Sequence, residues 1–289
     1  MSLPMPLIAA SRIHSGVVAT ATPFGTPDGV TSAFQLADKY GFPIRANANA
    51  TAMHRTDWQG RQALAATART NYLSDSCSFA GVMWENQSNY TTAPAVALVP
   101  SHTAYKWTDR GGGSKSLGQN TAANGNYSGN PETMSLIIEN VNATVTTVGC
   151  AQGGAGPVWV FLGKYTWADD TFVDSAGSGG TFTVTQLGAG PNGGKMVKLS
   201  ASNATAGLTA QQRQLYLYLS GVPTNTNTTI PHAAQHEVNG VATSIIVNDT
   251  SAALTVTDYT YTASGVATMG QIPVASAVLD WDGSGLSVG

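Results

Sequence analysis

Short apolar strands separated by turn residues dominate the hydrophobic pattern of the chain. Runs of strand length occur at residues 133–141, 143–150, 157–167, 180–187, 195–202 and 213–220. Gly- and Asn-rich breaks separate several of them, such as 176-AGSGG-180, 188-GAGPNGG-194 and 224-TNTNTT-229. Many short strands with turn chemistry between them are typical of β-sandwiches and jelly rolls. The pattern therefore predicts an all-β fold.

Helical patterns are scarce. Residues 59–73 and 207–214 could each form a turn or two of helix. No other segment keeps an apolar period near 3.6 residues.

Two of the predicted strands carry aromatic side chains along one face. In 213-RQLYLYLS-220, alternation places the leucines on one side and Tyr216 and Tyr218 on the other. In 157-PVWVFLGKYTW-167, aliphatic residues share one face. The opposite face is expected to carry Trp159, Phe161, Tyr165 and Trp167.

A sheet face lined by flat rings suits carbohydrate, because the C–H faces of sugars pack on aromatic rings. The candidate ligand-binding residues are Trp159, Tyr165, Trp167, Tyr216 and Tyr218. The alternative is that both faces are buried, one inside the sandwich and the other in an oligomer contact.

Composition and charge narrow the function classes. The 289 residues suffice for one large or two modest domains, and 10% of them are charged. The net charge is −3 and Lys and Arg do not cluster, so a nucleic-acid partner is not expected. No apolar run approaches the ~20 residues of a membrane span. The N-terminal segment lacks the basic and apolar regions of a signal peptide, which predicts a protein made in the cytoplasm.

The candidate metal chemistry is weak. Cys77 and Cys150 match no zinc spacing and are expected to be free and buried, with one long-range disulfide as the alternative. The segment 232-HAAQHE-237 would form a metal pair on a helix, but on a strand it is a polar β-edge. Asp169, Asp170 and Asp174 form a weak candidate for structural calcium, and otherwise they are turn carboxylates.

Catalytic motifs are absent from the sequence. There is no nucleophile elbow, P-loop, zinc-protease motif or dinucleotide fingerprint. Glycoside cleavage needs two convergent carboxylates, and no pair stands out among the 16 acidic residues. A non-enzymatic protein is therefore predicted.

The stretch 25-GTPDGVTSAFQL-36 predicts a tight turn and then a strand, yet residues 41–52 do not supply a hairpin partner. The segment 258-DYTYTASGVATMGQIPVASAVLDWDGSG-285 reads as two strands around Ser264-Gly265 and a third strand after a loop. We expect it to provide the partner of Phe34 and Leu36.

Together these two segments resemble a small β module of tailed-phage virion proteins. The first half of the likeness is carried by Gly25, Asp28, Gly29, Thr31, Phe34 and Leu36. The second half is carried by Asp258, Tyr259, Thr260, Gly265, Val266, Pro273, Ala277, Leu279 and Trp281. Ser276 stands where the family usually has Gly.

The residues between the halves resemble a second phage element. The segment 55-RTDWQGRQALAATARTNYL-73, with 79-FAGVMW-84, is similar to the start of carbohydrate-binding-module-like jelly rolls in phage tail fibres. The segment 233-AAQHEVNGVATSII-246 is similar to their end, with His236 in place of Leu and Ile245 in place of Tyr. Between about 90 and 230 only the strand rhythm matches.

The resemblance implies a jelly-roll or β-sandwich domain inserted into a split β module. It implies an N-terminal anchoring arm at 1–22, the split module at 23–54 plus 251–289, and the jelly roll at 55–250. Insertion at a surface turn is compatible with domain folding.

The function implied is that of a virion surface protein: a tail fibre, spike or other receptor-binding component. Its expected partners are other virion proteins, further copies of itself (a trimer first) and a host surface glycan. One alternative is a capsid decoration protein without a receptor role. A weaker alternative is a spike that degrades polysaccharide.

Overall fold

A computed structural model of the chain describes residues 22–23, 25–35, 52–64, 67–81, 83–85, 87–110, 116–121, 129–152, 158–203, 213–218, 227–261, 266–271, 273 and 277–282. The predicted arm at 1–22 lies outside these residues except for Thr22.

Twenty β-strands and one short 3₁₀ turn, Gln87–Asn89, make up the regular structure of the described residues. The strands are β1 Thr22–Pro23, β2 Ala33–Gln35, β3 Ala52–Asp57, β4 Gly60–Ala63, β5 Ala68–Asn71, β6 Tyr90–Ala95, β7 Ala104–Asp109, β8 Leu117–Asn120, β9 Glu132–Asn140, β10 Val145–Gln152, β11 Val158–Thr166, β12 Thr171–Asp174, β13 Thr181–Ala189, β14 Lys195–Asn203, β15 Arg213–Tyr218, β16 Thr228–Glu237, β17 Leu254–Thr257, β18 Tyr259–Tyr261, β19 Val266–Met269 and β20 Val278–Asp282. The six strands predicted from the apolar runs correspond to β9, β10, β11, β13, β14 and β15.

The helical interpretation of residues 59–73 is wrong. The described part of this segment contains β4, which pairs with β3, and β5, which pairs with β17. The hairpin of β4 with β3 and the long-range pairing of β5 with β17 override the helical preference of its Ala, Gln and Leu residues. Residues 207–212 of the second candidate helix lie outside the described residues, and 213–214 begin β15.

Two antiparallel sheets pack face to face as a β-sandwich. One has the strand order β12-β11-β10-β15-β8 and the other β13-β14-β9-β16-β7-β6. Val148 and Leu217 from the first sheet meet Leu136, Val197 and Ala234 from the second in one buried core. The predicted all-β sandwich class is confirmed. Among the described residues, no helix is long and apolar enough to cross a membrane.

The six-stranded sheet is covered on its outer face as well. A second buried cluster there joins Ile137 and Ala233 of the sheet to Cys77, Val99 and Ile245 of the covering segments. The central strand β9 is consequently buried from Glu132 to Glu139. Cys77 lies in this outer cluster and Cys150 in the inner core, and both are free thiols as predicted.

The partner of β2 is the C-terminal strand β19, where Ala267 lies opposite Phe34. The prediction of a long-range partner for Phe34 is confirmed, and Leu36 lies outside the described residues. Gly25 has a φ of 64°, and a Cβ there would fall 2.4 Å from the Phe34 ring. The turn before β2 is held by Asp28, whose carboxylate accepts the backbone N–H of Val30 at 2.8 Å.

The ends of the chain also meet in a four-stranded sheet of order β1-β20-β3-β4. Strand β3 crosses the predicted boundary between residues 54 and 55, and β4 pairs with β3 although it was assigned to the jelly roll. The exact division into domains stays a prediction.

Arg69 of β5 joins the segment that follows β16, at Ser244, to Asp258 just before β18. Its guanidinium donates to the Ser244 hydroxyl at 2.8 Å and to the Ser244 carbonyl at 2.9 Å, and it pairs with Asp258. All these groups are buried or nearly so, which makes the contact much less screened than a surface ion pair.

The segment 232–237 is not a polar β-edge. Strand β16 lies between β9 and β7, and both of its histidines are buried. His232 lies at an irregularity between Pro231 and Ala233, where its Nε2–H donates to Glu139 at 3.1 Å. The Leu98 N–H donates to its Nδ1 at 3.3 Å. Because Nδ1 must accept, this arrangement requires the neutral imidazole.

Glu139 joins the loop that precedes β14 to this histidine. Its carboxylate accepts the N–H of Asn192 at 3.1 Å and of Gly194 at 2.7 Å. Asn192 exchanges two hydrogen bonds with Val96. The buried Glu139 carboxylate thus holds the loop at Asn192 and Gly194 directly, and through Asn192 it also holds the segment at Val96.

We expect acid to destabilise the fold through His232. Burial lowers its pKa below the ordinary 6.5 despite the opposing effect of Glu139. Below that ordinary value the unfolded chain therefore binds a proton that the folded chain does not, and stability falls as the pH drops, by up to about 1.4 kcal/mol per pH unit. Urea unfolding between pH 7 and pH 5 measures the slope. His232→Gln should have a shallower slope, and an equal slope would contradict the assignment.

Candidate functional site

A β-bulge in β11 sorts the aromatic residues of that strand between two faces. Cys150 of β10 lies opposite Phe161, whereas the next residue, Ala151, lies opposite Trp159. Val160 is the extra residue of the bulge, so Trp159 and Phe161 point to opposite faces although they are two positions apart. The prediction that all four aromatic residues share a face is wrong.

Tyr165 and Trp167 follow Phe161 into the core. Their exposed fractions are 0% and 6%, and their ring centroids lie 4.8 Å apart. The Trp167 indole N–H donates to Thr146 Oγ1 at 3.0 Å. The structure therefore separates these two predicted binding residues from the other three.

Trp159, Tyr216 and Tyr218 come together on the outer face of the five-stranded sheet, and all three are half-buried. We call these three residues the aromatic platform. The Trp159 and Tyr216 rings meet edge to face with centroids 5.3 Å apart. The Tyr216 and Tyr218 rings are nearly parallel, with centroids 6.4 Å apart.

Two glycines make room for the platform. Tyr216 lies between Gly149 of β10 and Gly118 of β8 in the sheet. A Cβ on Gly149 would fall 2.7 Å from Cζ3 of Trp159 and 2.7 Å from Cδ1 of Leu162. The indole therefore rests above the Gly149 backbone. Glycine inside a strand often marks such a close approach.

Polar groups border the platform. The Tyr216 hydroxyl donates to the Gln214 side chain, and Asn120 donates to Glu85 at 3.1 Å. Glu85 joins the sheet edge through a bridge to Gly118. Burial raises the pKa of Tyr216 above its ordinary value, as it does for Tyr218, so both phenols stay protonated and can donate hydrogen bonds.

The sequence contained only part of this arrangement. Alternation in β15 correctly paired Tyr216 with Tyr218, but Gln214 and Glu85 were missed. Gly118 and Gly149, both inside strands, were the signal that could have shown where an aromatic ring lies on the backbone.

The predicted calcium carboxylates already have other partners. Asp170 accepts hydrogen bonds from the Lys195 amine and the Tyr165 hydroxyl, which together lower its pKa to about 2. Asp174 accepts the N–H groups of Ala176 at 3.0 Å and Gly179 at 2.8 Å.

These aspartates also lie at opposite ends of β12, roughly 13 Å apart at strand rise. Asp169 is exposed on the same turn as Asp170. The three carboxylates are not among the described clusters of potential metal ligands.

One such cluster occurs inside the sandwich, where ligand atoms of Glu132, Cys150 and His236 lie within 4.8 Å of one another. Arg213 donates to Glu132 through Nε at 2.9 Å and Nη2 at 2.7 Å. His236 Nε2 is 3.1 Å from the same carboxylate. Burial raises the pKa of Glu132, but hydrogen bonds from His236 and Arg213 outweigh that effect and the pKa is lowered.

A dication does not fit this cluster. Burial raises the pKa of the Cys150 thiol well above its ordinary value. Glu132 and Arg213 already balance each other in charge. A divalent ion with a deprotonated thiol would leave a net positive charge in the buried interior, which is costly. The cluster is better described as an ion pair that joins the two sheets.

Comparisons with known proteins identify no family. No family model matches the chain, and no curated protein matches it. Among solved structures, the CBM22-1 xylan-binding domain of Xyn10C from Paenibacillus barcinonensis is similar, with 8% identity and a TM-score of 0.33. The match covers 61% of this chain and 96% of that domain. A likeness of this size does not identify a ligand for this chain.

We expect Glu132→Gln to destabilise the fold strongly. The substitution removes the carboxylate charge that pairs with the buried Arg213 guanidinium, and breaking a buried pair typically costs about 3–5 kcal/mol of unfolding free energy. Urea denaturation at pH 7 measures the loss. Glu85→Gln, an exposed site, is the control and should change stability by about 0.5 kcal/mol or less. A loss below about 1 kcal/mol for Glu132→Gln would contradict the role of the ion pair.

We expect Gly149→Ala to displace the Trp159 indole, because the new methyl group would overlap it. The cost in stability should be about 1–3 kcal/mol. The emission of Trp159 should shift to the red. The Trp159 contribution is obtained by subtracting the spectrum of the Gly149→Ala, Trp159→Phe protein from that of the Gly149→Ala protein. Gly240→Ala is the control, since a Cβ there would be 3.4 Å from its nearest neighbour, Pro131. An unchanged Trp159 emission would refute the packing described.

Proposed function

We propose that the protein binds a polysaccharide through the aromatic platform. The observation that carries the proposal is the Trp159 indole, which lies over Gly149 beside Tyr216 on a half-buried outer sheet face. Because glycine removes the side chain beneath it, the ring can rest on the backbone and keep its other side available.

The chemistry of the platform matches that of a sugar. A pyranose ring has apolar C–H faces and polar hydroxyls around its rim. The indole and phenol rings offer apolar surface, and Gln214, Asn120 and Glu85 at the border offer hydrogen-bonding groups. A few polar groups around an aromatic surface are typical of small-molecule and sugar sites.

A non-enzymatic role is part of the proposal. Glycoside hydrolysis uses two carboxyl groups roughly 5–10 Å apart. Among the described residues of the platform and its border, Glu85 is the carboxylate, and it is hydrogen-bonded to Asn120. This arrangement favours binding over cleavage.

The sequence resemblances support a place for this binding function on a phage particle. We propose a virion surface protein of tail-fibre or spike type, assembled in the host cytoplasm with other virion proteins, and a homotrimer first among its oligomeric states. A decoration protein on the capsid is the alternative, in which the same half-buried rings contact a neighbouring subunit.

The first test is the loss of polysaccharide binding by platform variants. Trp159→Leu keeps apolar volume but removes the flat ring, and we expect it to weaken affinity roughly tenfold, which corresponds to about 1.4 kcal/mol. Trp159→Phe should retain more of the affinity. Affinity gel electrophoresis against a panel of soluble neutral and acidic polysaccharides is the measurement. Wild-type protein that binds none of the panel, or Trp159→Leu that binds unchanged, would contradict the proposal.

Immunogold labelling of intact particles distinguishes the two virion roles. Label on the tail fibres or tail tip supports receptor binding. Label on the head, together with platform variants that lose assembly but keep adhesion, supports decoration.

A further inference from the structure

An exposed lysine lies on the same sheet face as the aromatic platform. Lys164 of β11 is opposite Thr147 of β10, and Thr147 is in turn opposite Tyr218 of β15. Residues in one such row point to the same face. Two strand spacings separate Lys164 from Tyr218 by roughly 10 Å, a gap that a lysine side chain partly spans.

Lys164 has no anionic partner among the described residues. Its cross-strand neighbours, Thr147 and Val173, are uncharged. On the adjacent hairpin, Asp170 pairs with Lys195 and Asp174 accepts backbone N–H groups, whereas Asp169 lies exposed on the turn beyond Thr166. The Lys164 ammonium is therefore exposed beside the platform without a direct ion pair among the described residues.

The opposite border of the platform is acidic. Glu85 lies beyond Gly118 on the β8 side, and its charge contributes to the raised pKa of Tyr216. A ligand on the platform thus meets a cation at the β11 end and an anion at the β8 end. An anionic group on the ligand is attracted to the first and repelled by the second, which fixes its orientation.

We propose that the ligand is an anionic polysaccharide whose acidic groups contact Lys164, a specificity that rests on the proposed function of the platform. The interaction is exposed, so the affinity it adds is modest. Its main effect is to select acidic over neutral polymers.

The test uses each acidic polysaccharide that the wild-type protein binds, together with its carboxyl-reduced form, in which uronate becomes a neutral sugar. Dextran sulfate and dextran form the sulfate arm of the same comparison. We expect the wild type to prefer acidic forms by roughly threefold to fivefold, as for an exposed ion pair. Lys164→Gln should abolish that preference and leave binding to neutral forms unchanged. Added salt should weaken wild-type binding to the acidic forms.

Lys106→Gln is the matched control, because it makes the same charge change on β7 of the other sheet. The inference is overturned if neutral forms bind as well as acidic ones, or if Lys164→Gln keeps the preference. With either of these results, the proposed function would still hold if binding is lost when Trp159 is replaced. Wild-type protein that binds no polysaccharide would contradict both. Preference in the uronate arm or in the sulfate arm identifies which anion is recognised.

Discussion

The ion pair between Glu132 and Arg213 joins the two sheets of the sandwich inside the core. Glu132 belongs to β9 of one sheet and Arg213 to β15 of the other, and both side chains are almost fully buried. A buried pair of this kind is tolerated only where the geometry satisfies both partners. The pair therefore restrains how the sheet that carries the aromatic platform packs on the other sheet.

Much of the architecture was predictable because strand rhythm is a local property of the sequence. The predicted strands match β9 to β11 and β13 to β15 closely, and the partner of Phe34 was found from a motif rather than from rhythm. The prediction for segment 59–73 failed because Ala- and Gln-rich stretches favour helix locally. In the fold, β4 pairs with the preceding strand β3 across a short turn, and β5 pairs with β17, which lies far away in the chain.

The binding face was only half predictable, for a different physical reason. Strict alternation assigns residues to faces only while the strand stays regular, and one extra residue reverses every assignment on one side of it. Nothing in the letters VWVFL marks Val160 as that residue. Tyr216 and Tyr218 lie on a regular strand and were assigned correctly, whereas Tyr165 and Trp167 fell on the other side of the bulge.

The pairing of β2 with β19 joins residues from nearly opposite ends of the chain. During synthesis β2 has no partner until β19 has been made. Pairings of such long range form slowly, and unpaired edges invite association with other chains. A chain cut short before β19 would therefore leave open the edge of β2 that β19 covers in the folded chain.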